Sequence, residues 1–179
     1  MKKELVKNLV LYLVDQLRDN DSPISTIRLI KFLYLIDLEH YKRYYETLTG
    51  IDWIRYTYGP YFFEWPNIVK SIGYRLALTE VKTEKGEGNT YSVDEPYSIE
   101  GKVSFTVQSF IDKLIKKWGD EDLDVILKFI YDTYPVRASN HKEKLDFTAE
   151  TDYLLLDKEV KSNPDFDTVE EFLDSLLDK

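Results

Sequence analysis

Residues 28–61 read RLIKFLYLIDLEHYKRYYETLTGIDWIRYTYGPY, and the fold turns on how this stretch is parsed. Its first half is apolar almost all round, and a helix of that kind belongs in an interior. The spacing therefore predicts a buried central helix from Thr26 to about Glu46, with Ser25 as its N-cap. The second half turns polar-aromatic at Tyr41, Tyr44 and Tyr45, and Thr49-Gly50 is expected to end it. Asp52 to Tyr58 is aromatic and β-branched, which predicts a short strand. Gly59-Pro60 is expected to open a third helix over Tyr61–Arg75, since Gly takes positive φ and Pro suits a first helical turn.

The flanks supply partners for that helix. Leu5, Val6, Leu9, Val10, Leu13, Val14 and Leu17 form a helical stripe over Lys3–Arg18. Leu76–Thr83 and Asn89–Val93 predict two strands joined by EKGEG. Ser104 starts a fourth helix with a stripe through Phe110, Ile111, Leu114 and Trp118. A fifth carries Leu123, Ile126, Ile130 and Tyr134, and residues 135–151 are expected to be a loop. Residues 152–161 predict a short helix, and Thr168–Leu177 an amphipathic one. The expected class is α+β, mainly helical: one globular domain over 1–151 with a small antiparallel β-hairpin, and an acidic C-terminal segment over 152–179.

Composition narrows the function. A chain of 179 residues is one domain with at most a short appendage. Cysteine is absent, which excludes a disulfide framework and thiolate chemistry and suits the cytoplasm. With only His40 and His141, a multi-histidine metal centre is excluded. No apolar run approaches the roughly 20 residues of a membrane span. Of the net charge of −9, residues 143–179 account for most, with 4 Lys/Arg against 12 Asp/Glu. A nucleic-acid binder ordinarily carries a basic stripe, so a basic or apolar protein is the better partner, and a second copy of the chain is another that the sequence allows.

Few residues suggest chemistry. Asp37 and His40 share a helix face, and the reading favoured is a structural polar pair that fixes the helix to the segment around Trp53–Tyr58. Asp52, Glu80 and Lys82 match the loose outline of a nuclease site, but such a pattern on an exposed strand is ordinary solvated surface. Gly86-Glu87-Gly88 lacks the other parts of a phosphate loop and reads as a hairpin tip. The strongest signal outside the core is aromatic density between Tyr41 and Tyr74, because Tyr and Trp are favoured where one side is packed and the other meets a partner.

In residues 28–60, Lys31–Tyr34, Asp37–Tyr41, Leu48–Gly50 and Tyr58–Pro60 stand in an order that resembles the Panacea, or SocA-like, antitoxin domain. The family pattern continues past Gly-Pro with Val and a second Pro, where this chain has Tyr61-Phe62-Phe63-Glu64-Trp65-Pro66. The resemblance implies a non-enzymatic module, without catalytic residues, metal or cofactor, of a prokaryotic or phage toxin–antitoxin system. Such a module neutralises a cognate toxin by direct contact. The expected contact residues are Tyr41, Tyr44, Tyr45, Trp53, Tyr56, Tyr58, Gly59, Pro60, Tyr61 and Trp65. The alternative is a winged-helix-like DNA-binding regulator with EKGEG as its wing tip, and after it a metal-dependent nuclease.

Overall fold

The computed structural model describes residues 1–17, 23–83 and 86–148. The elements run α1 (Lys3–Gln16), β1 (Ile24–Ser25), α2 (Thr26–Tyr44), β2 (Ile54–Tyr56), β3 (Gly59–Tyr61), α3 (Trp65–Ile72), β4 (Ala77–Thr83), β5 (Gly86–Ser92), α4 (Phe105–Trp118), α5 (Leu123–Asp132) and α6 (Tyr134–Arg137). The chain is α+β and mainly helical, with small antiparallel sheets. The helices expected over 152–161 and 168–177 lie outside the described residues.

The centre is α2. Leu29, Phe32, Leu33, Leu35, Ile36 and Leu38 are each fully buried, which takes neighbours on every side. α1, α4, α5, β3 and β5 provide them. Truncating one such side chain, Leu33→Ala for example, costs about 2–5 kcal/mol. Ser25 caps the helix: its backbone is extended and its Oγ accepts the Arg28 N–H at 3.3 Å. The C-terminal end falls at Tyr44 rather than Glu46, because Tyr45 takes the left-handed conformation (φ 58°) and donates its N–H to Tyr41 O at 2.8 Å. Few non-glycine residues do so. The returning chain meets the start of α1, where Lys2 N–H donates to Thr49 O at 2.8 Å.

Two small sheets flank the helices. In one, the expected hairpin β4–β5 gains a third strand, β1, which pairs with β5 through Ile24↔Tyr91. Gly86, Glu87 and Gly88 lie within β5 rather than at a hairpin tip, with Gly88 opposite Val81. A helix, a strand, two helices and a hairpin, with the first strand beside the last, is the connectivity of a winged helix. Here a second hairpin, β2–β3, is inserted between the two later helices.

That inserted hairpin corrects the expectation for Gly59-Pro60. They form β3, not a helix start, with Tyr56 opposite Gly59 and Ile54 opposite Tyr61. Gly59 has φ 82°, a conformation that a Cβ would strain. The third helix begins at Trp65 with Pro66 in its first turn, and ends at Ile72 before a single 3₁₀ turn. Residues 142–145 run along the outer side of β2: Arg55 N–H donates to Glu143 O (2.8 Å), and Leu145 N–H to Trp53 O (2.9 Å). Part of the loop expected over 135–151 is thus the short helix α6 and a strand-like cover.

Candidate functional site

Asp37 and His40 are buried on α2 but not bonded to each other. Asp37 accepts three hydrogen bonds: from Thr49 N–H (2.8 Å), from the Thr49 hydroxyl, and from the Trp53 indole N–H (2.8 Å). Thr49 Oγ1 in turn accepts from Ile51 N–H at 3.1 Å, so its own proton points to the carboxylate. Burial pushes the Asp37 carboxyl above its ordinary value, against the Thr49 and Trp53 donors, which favour the charged form. His40 Nδ1 meets Glu46 O at 2.7 Å and its ring packs on Tyr44. Each therefore fastens a different part of segment 46–53 to α2. The two residues hold that segment through different bonds, and they still interact electrostatically.

The expected contact residues divide three ways. Trp53 and Trp65 are 1% and 4% exposed and belong to the core, where Phe62 sits edge-on to both. Gly59 and Pro60 are buried as backbone of β3. Tyr44 and Tyr45 are exposed at the C-terminal end of α2, with Tyr41 half-buried beside them. Tyr56, Tyr58 and the half-buried Tyr61 sit on the β2–β3 hairpin. The hairpin is bonded to α2 through Lys31 Nζ and Pro60 O and shares a pocket with Ile27 and Ile30, near the opposite end of α2. Thirteen residues separate Lys31 from Tyr44, which at about 1.5 Å per residue is roughly 20 Å. One aromatic stretch of sequence thus yields two separate surface groups.

The hairpin group is the larger. Tyr56 contacts Tyr61 (5.7 Å between ring centres) and Phe63 (6.0 Å), and Tyr61 meets Phe63 edge-on (6.0 Å). His141 stacks on Tyr56 at 5.3 Å with an 18° interplanar angle. Phe63 is 63% exposed and Tyr58 55%. Mutually packed rings hold one another in place, so a partner meets them with little further loss of side-chain freedom. Phe63 and His141 were not among the expected contacts. His141 arrives from the distant cover strand, and no local pattern announces it.

Beneath this face lies a residue that sequence reasoning passed over. Lys31 is 3% exposed on α2, and its Nζ donates to Pro60 O at 2.8 Å. Its signal was present: a lysine inside a helix apolar on every side. Burial lowers its pKa to about 7.

The nuclease outline does not assemble. Asp52 pairs with Lys144 before β2, whereas Glu80 and Lys82 lie exposed on β4 in the other sheet. The Lys144 ammonium holds the Asp52 carboxyl below its usual range. Among the described residues no cluster of three or more His, Asp or Glu could hold a metal ion. Nor, among them, is any helix long and apolar enough to cross a membrane.

The family model described as antitoxin SocA-like, Panacea domain, matches residues 29–136, from α2 through most of α6. This is more than half of the chain, and the chain belongs to that family. No curated protein and no solved structure gives a significant match to it.

Proposed function

We infer that this protein is an antitoxin-like binding module that neutralises a cognate toxin by direct protein–protein contact, without catalysis. Family membership supports the antitoxin role. The observation that carries the contact mechanism is the ring cluster of Tyr56, the half-buried Tyr61 and Phe63 at the inserted hairpin, with the exposed Tyr58 on its turn. Tyr and Phe in a patch of this kind supply large contact area at low entropic cost, the usual composition of a binding hot spot. The matched region contains the whole hairpin and the Asp37 anchors that position it. Tyr44 and Tyr45 form a second, smaller contact at the far end of α2. We place the protein in the cytoplasm, where a toxin and its antitoxin would meet.

The test is growth rescue. A cognate toxin should arrest bacterial growth when expressed alone, and this chain should restore growth and co-purify with it. Rescue without a complex would overturn the contact mechanism.

The winged-helix connectivity favours a second reading, DNA binding through α3 and the β4–β5 hairpin. Charge opposes it. The exposed Lys70, Arg75 and Lys82 are matched by the exposed Glu64, Glu80 and Glu87, whereas phosphate contacts demand a basic surplus. Salt-sensitive binding of duplex DNA tighter than about 10⁻⁶ M at physiological salt would support that reading.

A further inference from the structure

Lys31 occupies a position where the helix pattern asks for an apolar side chain, and its surroundings leave its charge unanswered. An ammonium carries three donors, and among the described residues Nζ uses one, toward Pro60 O. No described carboxylate pairs with it. An unpaired buried charge is costly, so the site gains by admitting an anion.

There is room for one. Lys31 lines a pocket of about 260 Å³ whose other walls include Ile27, Ile30, Tyr56, Tyr58 and Tyr61. Gly59 also borders it, and a Cβ there would stand 3.5 Å from Lys31 Nζ, which puts the ammonium at that wall. The volume is just below the roughly 300–1,000 Å³ of drug-sized sites, so it suits a single ring or short chain. Its walls are apolar and aromatic around one cation. That combination matches an acid carried on an apolar stem. It fits a phosphate poorly, since no arginine fork or backbone nest is among the residues around it.

We propose that this pocket is a carboxylate-binding site, which pairs the acid with Lys31 Nζ and packs its stem between the aliphatic side of α2 and the tyrosines of the β2–β3 hairpin. The acid comes either from a small free monocarboxylate or from a glutamate side chain of a bound protein, and the experiment separates the two. The proposal goes beyond the antitoxin reading and does not depend on it, because the isolated chain tests it.

Burial holds the Lys31 pKa at about 7, so a paired carboxylate should raise it. The titratable groups that line the pocket with Lys31 are Tyr56 and Tyr61 from the hairpin strands and Tyr58 from its turn, and Tyr131 of α5 lies beside Gly59 together with Nζ. Arg55, a cation that acts on Tyr131, is bonded to Ser139 O.

The full chain labelled with ¹³C at lysine Cε is titrated by NMR with benzoate, with benzamide, and with the blocked peptides acetyl-Gly-Glu-Gly-amide and acetyl-Gly-Gln-Gly-amide. The Lys31 resonance is assigned from its near-neutral titration and its loss in Lys31→Met. Benzoate should shift it saturably and raise its pKa by about one unit, a tenfold preference for the charged lysine. Benzamide should bind at least tenfold more weakly. Saturation by benzoate alone assigns the site to a free acid, and saturation by the Glu peptide but not the Gln peptide assigns it to a protein side chain. Should Lys31→Met fail to fold, Tyr58→Ala, at an exposed wall position, should weaken benzoate at least threefold. Equal binding of benzoate and benzamide, or no saturable shift with any acid, overturns the proposal.

Discussion

Asp37→Asn removes one carboxylate oxygen from a buried site in which all three partners are donors. The amide oxygen can replace Oδ2 and keep the Thr49 hydroxyl and the Trp53 indole. The amide nitrogen then faces Thr49 N–H, donor against donor. An orphaned buried donor costs about 1–3 kcal/mol, and the remaining bonds lose their charge assistance, so the expected loss is about 2–4 kcal/mol. Against a total stability of about 5–15 kcal/mol, that is a large fraction. It corresponds to a Tm lower by about 4–16 °C for a chain of this size. Urea unfolding followed by tryptophan fluorescence and far-UV circular dichroism measures it. Thr49→Val in the Asp37→Asn background should cost less than in the wild type, with a coupling of about 0.5–3 kcal/mol. An unfolding free energy for Asp37→Asn within about 0.5 kcal/mol of wild type, the range of an ordinary surface change, would refute the anchor role.

Other expected outcomes follow from the same geometry. Gly59→Ala should lose about 1–2 kcal/mol in urea melts, from its φ of 82° and not from crowding, since the nearest atoms stand at 3.5 Å or beyond. Because the Lys31 pKa falls to about 7 on folding, the unfolded chain binds more protons above that pH. Lys31 should therefore make stability rise from about pH 7 toward the ordinary lysine value near 10, and Lys31→Met should flatten that slope. Tyr12 behaves oppositely: burial and Asp112 raise its pKa to about 12, so stability should fall between pH 10 and 12, less so in Tyr12→Phe. Removal of residues 163–179, whose sequence carries a second amphipathic stripe, separates a part of the fold from a partner arm. A lower Tm in the isolated chain marks the first, and weaker toxin neutralisation at unchanged Tm marks the second.

Local signals carried much of the fold. The buried centre of α2 was legible because a helix apolar on all sides has one stable location. Ser25 and Ser104 were legible as caps because a hydroxyl before a periodic run has a specific donor to satisfy. Gly59-Pro60 misled, because a positive-φ glycine before proline serves a hairpin as well as a helix start. What local pattern could not give was pairing at a distance: β1 against β5, and residues 142–145 along β2. The candidate face depended on that information. The sequence offers ten aromatic and turn residues as one surface, and tertiary packing sends Trp53 and Trp65 inward and parts Tyr44–Tyr45 from the hairpin. His141 and Lys31 join it only once distant segments close over α2.

A paired substitution at the hairpin tests whether its rings are the proposed toxin-binding face. Tyr58→Ala/Phe63→Ala removes two rings that are more than half exposed, so the Tm of the isolated chain should change little. Affinity for the cognate toxin, measured by titration calorimetry, should fall by at least 2 kcal/mol, about thirtyfold, as for hot-spot aromatics. Tyr44→Ala/Tyr45→Ala should have the smaller effect. Wild-type affinity in the Tyr58/Phe63 variant at unchanged Tm would refute the hairpin as the binding face and move that face elsewhere on the molecule.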